Sequence, residues 1–128
     1  MKLLRQNQVD VERQRIAVVG TFDGVHRGHR FLLDFMLLQA NKRNLQPSVI
    51  TFSQHPLTVI RPQNVPKQLA TVDERINMLQ ECGIETCIML DFDDELRRQS
   101  ARQFLEMIHH DYGVLVLVIG FNTRFGCD

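Results

Sequence analysis

Cysteine is scarce in this chain of 128 residues: Cys82, Cys87 and Cys127 are scattered, with no CxxC pair. An odd, scattered set excludes a disulfide framework and a structural zinc site, and points to reduced thiols. Neither sign of charge is in excess, since fifteen basic and fifteen acidic side chains give a formal net charge of zero. That excludes attachment to nucleic acid by bulk electrostatics. It leaves room for a small phosphate ligand, which needs only a few aimed donors. Long apolar runs are missing too: no segment reaches bilayer-crossing length, and Met1 to Arg15 lacks the apolar centre of a signal peptide. A cytoplasmic protein with no membrane attachment is expected. Two common phosphate-binding patterns are also absent, GxxxxGK followed by Ser or Thr, and GxGxxG.

What is present is an ordinary globular composition, 44% apolar and 23% charged, in a length that holds one domain and one core. Ile16 to Val19 is a short apolar run ending at Gly20, and it predicts a buried strand. Apolar positions from Phe31 to Ala40 cover most of a helix circumference, which predicts a helix with little of its surface facing water. Ser48 to Phe52 is a second strand, and the proline-bearing stretch from Ser53 to Ala70 is an irregular loop. Thr71-Val-Asp-Glu74 and Ser100-Ala-Arg-Gln103 are capping boxes. The first opens a helix with Val72, Ile76 and Leu79 inward and Gly83 as its stop. The second opens a helix with Ala101, Phe104, Leu105 and Ile108 on one face, closed by Gly113. Between them Thr86 to Leu90 is a third strand. Val114 to Ile119 is a fourth, apolar throughout and expected at the centre of a sheet covered on both faces. Strand and helix alternate as β-α-β-loop-α-β-α-β. The expected fold class is therefore α/β, a Rossmann-like doubly wound parallel sheet. No helix follows the last strand before Asp128, so the chain reads as a single domain, residues 1–128, incomplete at its C-terminus.

The segment Gly20-Thr-Phe-Asp-Gly-Val-His-Arg-Gly-His29 joins a buried strand to a buried helix, where α/β proteins bind ligands. Its glycines let backbone N–H groups approach an anion closely. His26 and His29 are three apart and share a face on a helical turn, with Gly28 leaving that face open. A helix N-terminus adds partial positive charge at the same spot. Either histidine alone is better explained as a helix cap; the whole decapeptide at this junction is better explained as a phosphate site.

This decapeptide resembles the HxGH signature of the nucleotidylyltransferase superfamily, in the form found in bacterial FAD synthetases. Three further blocks resemble that family in order and spacing. Thr51-Phe-Ser-Gln-His-Pro56 is similar to TFxPHP, and Leu69-Ala-Thr-Val-Asp-Glu-Arg75 is similar to LxTxxE followed by Lys or Arg. Gly120-Phe-Asn-Thr-Arg-Phe-Gly126 is similar to the loop after the fourth strand. The resemblance implies transfer of AMP from ATP to FMN, giving FAD and pyrophosphate, with magnesium accompanying ATP. It rests on positioning and charge neutralisation.

By the same resemblance, His26 and His29 are the catalytic pair at the ATP phosphates. Gly20, Thr21, Phe22, Asp23, Gly24 and Gly28 complete the nucleotide-binding segment. Asp23 either orders its loop or acts through magnesium. His55 faces the triphosphate or the FMN phosphate, against the alternative of a loop histidine beside Pro56 with no ligand. Asn122 and Arg124 approach the substrates, against a turn in which Asn122 bonds its own backbone. Phe22 and Phe125 are expected to pack rather than stack on flavin. Gln54 replaces the family's proline, and the family's downstream ISSTxIR motif does not occur before Asp128. A C-terminal riboflavin kinase domain is the implied partner in the full-length protein. The competing functions are another HxGH nucleotidylyltransferase and a non-catalytic nucleotide- or flavin-binding module.

Overall fold

Short β-branched runs separated by capped helices leave each sheet face to be covered by a helix, and the chain folds accordingly. The computed structural model describes residues 1–22, 27–53 and 71–120. In chain order these form β1 (Lys2–Arg5), β2 (Arg15–Val19), α1 (Arg27–Arg43), β3 (Gln46–Phe52), α2 (Val72–Glu81) and β4 (Thr86–Leu90). Then follow α3 (Asp94–Arg98), α4 (Ala101–Tyr112) and β5 (Val114–Val118). The five strands make one sheet in the order β1-β4-β3-β2-β5, with every pairing parallel. From β2 the chain steps one way to β3 and β4, then crosses back to place β5 on the other side of β2. All the carboxyl ends therefore lie along one edge.

Strand alternation divides the core into two layers. Ile16 and Val18 of β2 meet Leu33, Met36 and Ala40 of α1 and Leu79 of α2 on one face. Ala17 and Val19 meet Leu96 of α3 and Phe104, Ile108 and Tyr112 of α4 on the other. Both expected capping boxes form, on Thr71 with Glu74 and on Ser100 with Gln103. Each is worth about 1 kcal/mol of helix stability. At the amino edge the buried Arg15 guanidinium closes a polar knot. It donates to Gln46 Oε1 at 2.7 Å, to the Asp10 carbonyl at 2.8 Å and to the Tyr112 carbonyl at 2.9 Å. Tyr112 in turn donates its hydroxyl to the Arg5 carbonyl at 2.8 Å, tying β1 to the end of α4.

Three expectations are corrected. β5 is an edge strand among the described residues, with Leu115 and Ile119 exposed, because its crossover carries it past β2 rather than between other strands. An all-apolar run does not by itself distinguish centre from edge. Second, α1 exposes Phe31, Phe35 and Leu38, since the sheet is met by the stripe of Leu33, Met36 and Ala40, with Leu32 and Leu37 at its margins. Leu105 of α4 likewise faces outward. Third, the polar N-terminus contributes strand β1, whose only buried side chain is Leu4. Helix α3, capped by Asp93 on the Leu96 amide, was not expected either.

Gly113 ends α4 in the left-handed region at φ 65°, and a Cβ there would stand 2.8 Å from the Arg13 carbonyl oxygen. Gly113→Ala is therefore expected to lower stability by about 2 kcal/mol or more, read by urea unfolding. An unchanged midpoint would contradict the strained turn.

Burial pushes the Cys87 thiol up to about 11, with Arg75 and Arg5 opposing in part. Burial, and then Asp111, push the Tyr112 hydroxyl up to about 12. The native state thus holds these protons after the unfolded chain has lost them. Stability should fall as pH rises from 9 towards 11, the window of the Cys87 shift. Cys87→Ala should flatten part of that fall in thermal melts. A slope unaffected by the substitution would contradict the assignment.

Candidate functional site

Strand β2 ends where Gly20 N donates to the Ile50 carbonyl at 3.0 Å, the last rung before the chain leaves the sheet. A Cβ on Gly20 would lie 3.0 Å from the Phe22 ring, so the small residue lets the turn fold closely onto itself. Phe22 itself is fully buried and adopts φ 51°, a left-handed conformation that costs a bulky residue roughly 1–3 kcal/mol. Its ring lies 5.0 Å from the His29 ring, at an interplanar angle of 51°. The packing role expected for the Phe22 side chain is what the structure shows.

His29 is half-buried in the first turn of α1. That turn carries no acidic side chain, while Lys42 and Arg43 occupy the last turn, so within the helix only the negative end of the dipole is offset. Among the predicted site residues, Gly20, Thr21, Phe22 and His29 are brought together here. Gly28 lies in the same turn. Asp23, Gly24, His26, His55, Asn122 and Arg124 fall outside the described residues, as does Phe125.

Beneath the turn sits a residue that the sequence reading quoted only as part of a motif. Arg75 of α2 is 2% exposed. Its Nη1 donates to the Thr21 carbonyl at 2.7 Å and to Thr51 Oγ1 at 3.3 Å, and its Nη2 donates to the Phe52 carbonyl at 3.1 Å. Thr51 also donates its hydroxyl to the Thr21 carbonyl, at 3.1 Å. Among the described residues Arg75 has no carboxylate partner, and its buried Nε has no acceptor. A signal was available in the sequence. Arg75 occupies the inward stripe of Val72, Ile76 and Leu79, where a charged side chain is expected only if something buried receives it.

The carboxyl edge of β2 and β3 thus brings together the Thr21–Phe22 turn, the first turn of α1, the His29 imidazole and a buried guanidinium. A cleft of about 670 Å³ opens at the opposite edge, between Gln14, Gln46, Pro47 and Glu85. It lies at the amino ends of the strands, away from the carboxyl ends where open α/β sheets bind ligands, and carries both signs of charge, Glu12 and Glu85 beside Arg13. Among the described residues no three His, Cys, Asp or Glu side chains gather as metal ligands. No described helix is long and apolar enough to cross a membrane.

Comparison with known proteins gives a consistent result. A family model described as FAD synthetase matches residues 8–128. The bifunctional riboflavin kinase/FMN adenylyltransferase of Escherichia coli (strain K12) is 33% identical over 112 residues, covering 87% of this chain and 36% of that protein. The protein of the same description from Pseudomonas fluorescens is 33% identical over 131 residues, covering 100% of this chain and 42% of the relative. Its Bacillus subtilis (strain 168) counterpart is 28% identical over 116 residues, covering 90% and 37%. A crystal structure described as a macrolide-efflux protein from Streptococcus pneumoniae superposes with a TM-score of 0.88 at 26% identity, over 98% of this chain and 50% of that one. The chain therefore spans roughly two fifths of the length of these curated relatives.

Proposed function

Because this chain belongs to the FAD synthetase family, we propose that it forms the part of such an enzyme that transfers AMP from ATP to FMN. The observation that carries this reading is the set at the carboxyl edge: the Thr21–Phe22 turn, the N-terminus of α1 and His29 within one turn of it. An FMN phosphate oxygen attacks the α-phosphorus of ATP, the bond from that phosphorus to the bridging oxygen breaks, and pyrophosphate leaves with the electron pair. The protein forms no covalent bond in this step, and its contribution is alignment and stabilisation of charge on the departing oxygens.

His29, with His26, donates to the triphosphate and stabilises the leaving pyrophosphate. Backbone donors from Gly20 to Gly24, and at Gly28, hold the nucleotide phosphates. His55 faces the triphosphate or the FMN phosphate, and Asn122 and Arg124 approach the flavin substrate. ATP enters as its magnesium complex; Mg2+ draws most of its ligands from phosphates and water, so it needs little from the protein. The bifunctional relatives join adenylyl transfer to riboflavin kinase, and the full-length protein is proposed to carry both in the cytoplasm, with no nucleic-acid or membrane partner.

The test is FAD formation from FMN, ATP and magnesium, resolved by chromatography, with CTP in a parallel reaction. The full-length protein and this chain are compared. FAD from ATP and not from CTP-driven reactions is expected, and no flavin dinucleotide from the full-length protein would overturn the reading. His29→Ala should reduce turnover about a hundredfold while leaving the melting temperature nearly unchanged. Equal loss of stability and activity would assign His29 to the fold instead.

A further inference from the structure

We infer that Arg75 is the positioning residue of the phosphate site, acting through the Thr21–Phe22 peptide. This rests on the proposal that nucleotide phosphate binds at that turn. Three polar atoms close a triangle there: Arg75 Nη1, Thr51 Oγ1 and the Thr21 carbonyl oxygen, with separations of 2.7, 3.1 and 3.3 Å. The Thr51 hydroxyl has one proton, which goes to the Thr21 carbonyl, and a lone pair, which receives Arg75. The Thr21 carbonyl is thereby turned inward onto two donors, one of them charged.

In a trans peptide the carbonyl and the following N–H point in opposite directions. No cis peptide bond occurs among the described residues. Holding the Thr21 oxygen against Arg75 therefore aims the Phe22 N–H away from Arg75 and Thr51. The left-handed φ of Phe22 is the backbone consequence of that orientation. Through Nη2 the same guanidinium grips the Phe52 carbonyl, so the turn after β2 and the end of β3 are held at a fixed separation. Its charge, which meets only carbonyl and hydroxyl oxygens among the described residues, adds a positive field beneath the turn. An anion above the turn completes it.

The role predicts that affinity for the triphosphate depends on Arg75 and Thr51 although neither side chain reaches the ligand. ATP binding by titration calorimetry is measured at low temperature, with circular dichroism confirming that each variant is folded. Arg75→Met should weaken binding about tenfold or more, the loss expected for a charge-assisted hydrogen bond. Arg75→Lys, which keeps the charge and can still reach the Thr21 carbonyl, should restore most of it. Thr51→Val removes one donor without changing side-chain shape and should weaken binding about fivefold. It carries the test if Arg75→Met does not fold. In the isotope-labelled parent, inorganic pyrophosphate should shift the Phe22 amide resonance, and the shift should shrink in Thr51→Val. Folded Arg75→Met or Thr51→Val chains that bind ATP like the parent would overturn the positioning role alone. A parent chain that binds neither ATP nor pyrophosphate would overturn the phosphate-site reading and the positioning role with it.

Discussion

A guanidinium buried against backbone carbonyls at the carboxyl edge of the sheet governs how the two segments that end β2 and β3 stand to each other. Arg75 is held in place by α2, whose own start is fixed by the Thr71–Glu74 capping box and whose apolar stripe is seated on the sheet. Burying a charge is costly unless its donors are used. Two of the three nitrogens of this guanidinium meet acceptors on exactly those segments that the strands deliver to the edge. Helix packing, strand register and the conformation of the turn after β2 are thus coupled through one side chain. Arg15 does comparable service at the amino edge, where it joins β2, β3 and α4. The sheet is gripped by an arginine at each end, but only the one at the carboxyl edge lies under a segment with the makings of an anion site.

The division of labour follows from the α/β architecture. Parallel strands put all the carboxyl ends on one edge, and right-handed crossovers bring helices back over both faces. The hydrophobic layers on either side of β2 then make a rigid platform, from which short turns project. A strained residue such as Phe22 persists in that setting because its ring is fully buried and its preceding carbonyl is held by two donors.

Much of this was legible in the sequence. The existence of strands β2 to β5, the capped starts of α2 and α4 and the glycine stops at Gly83 and Gly113 follow from local patterns that tertiary contacts reinforce. The strand β1 escaped notice because four residues with one buried leucine carry almost no periodic signal, and its partner β4 lies more than eighty residues away in sequence. The edge position of β5 was invisible for a different reason, since apolar content reports burial in general and not the order of strands. At the site, the described part of the glycine-histidine decapeptide leaves β2 at its carboxyl end, and the Phe22 ring is buried there. For Arg75 the pattern shows a charge on the inward stripe of α2 but not what receives it, because two of its acceptors are backbone carbonyls fifty-four and twenty-three residues distant.

The most direct test of the central claim is where ATP sits on the chain, mapped by amide chemical-shift perturbation in the isotope-labelled protein. Binding at the carboxyl edge predicts that the largest shifts fall on Thr21, Phe22, His29 and Thr51 to Ser53, with the amides of Gln14, Gln46 and Glu85 at the opposite edge unmoved. Shifts concentrated at that opposite edge, or spread without a centre, would contradict the account.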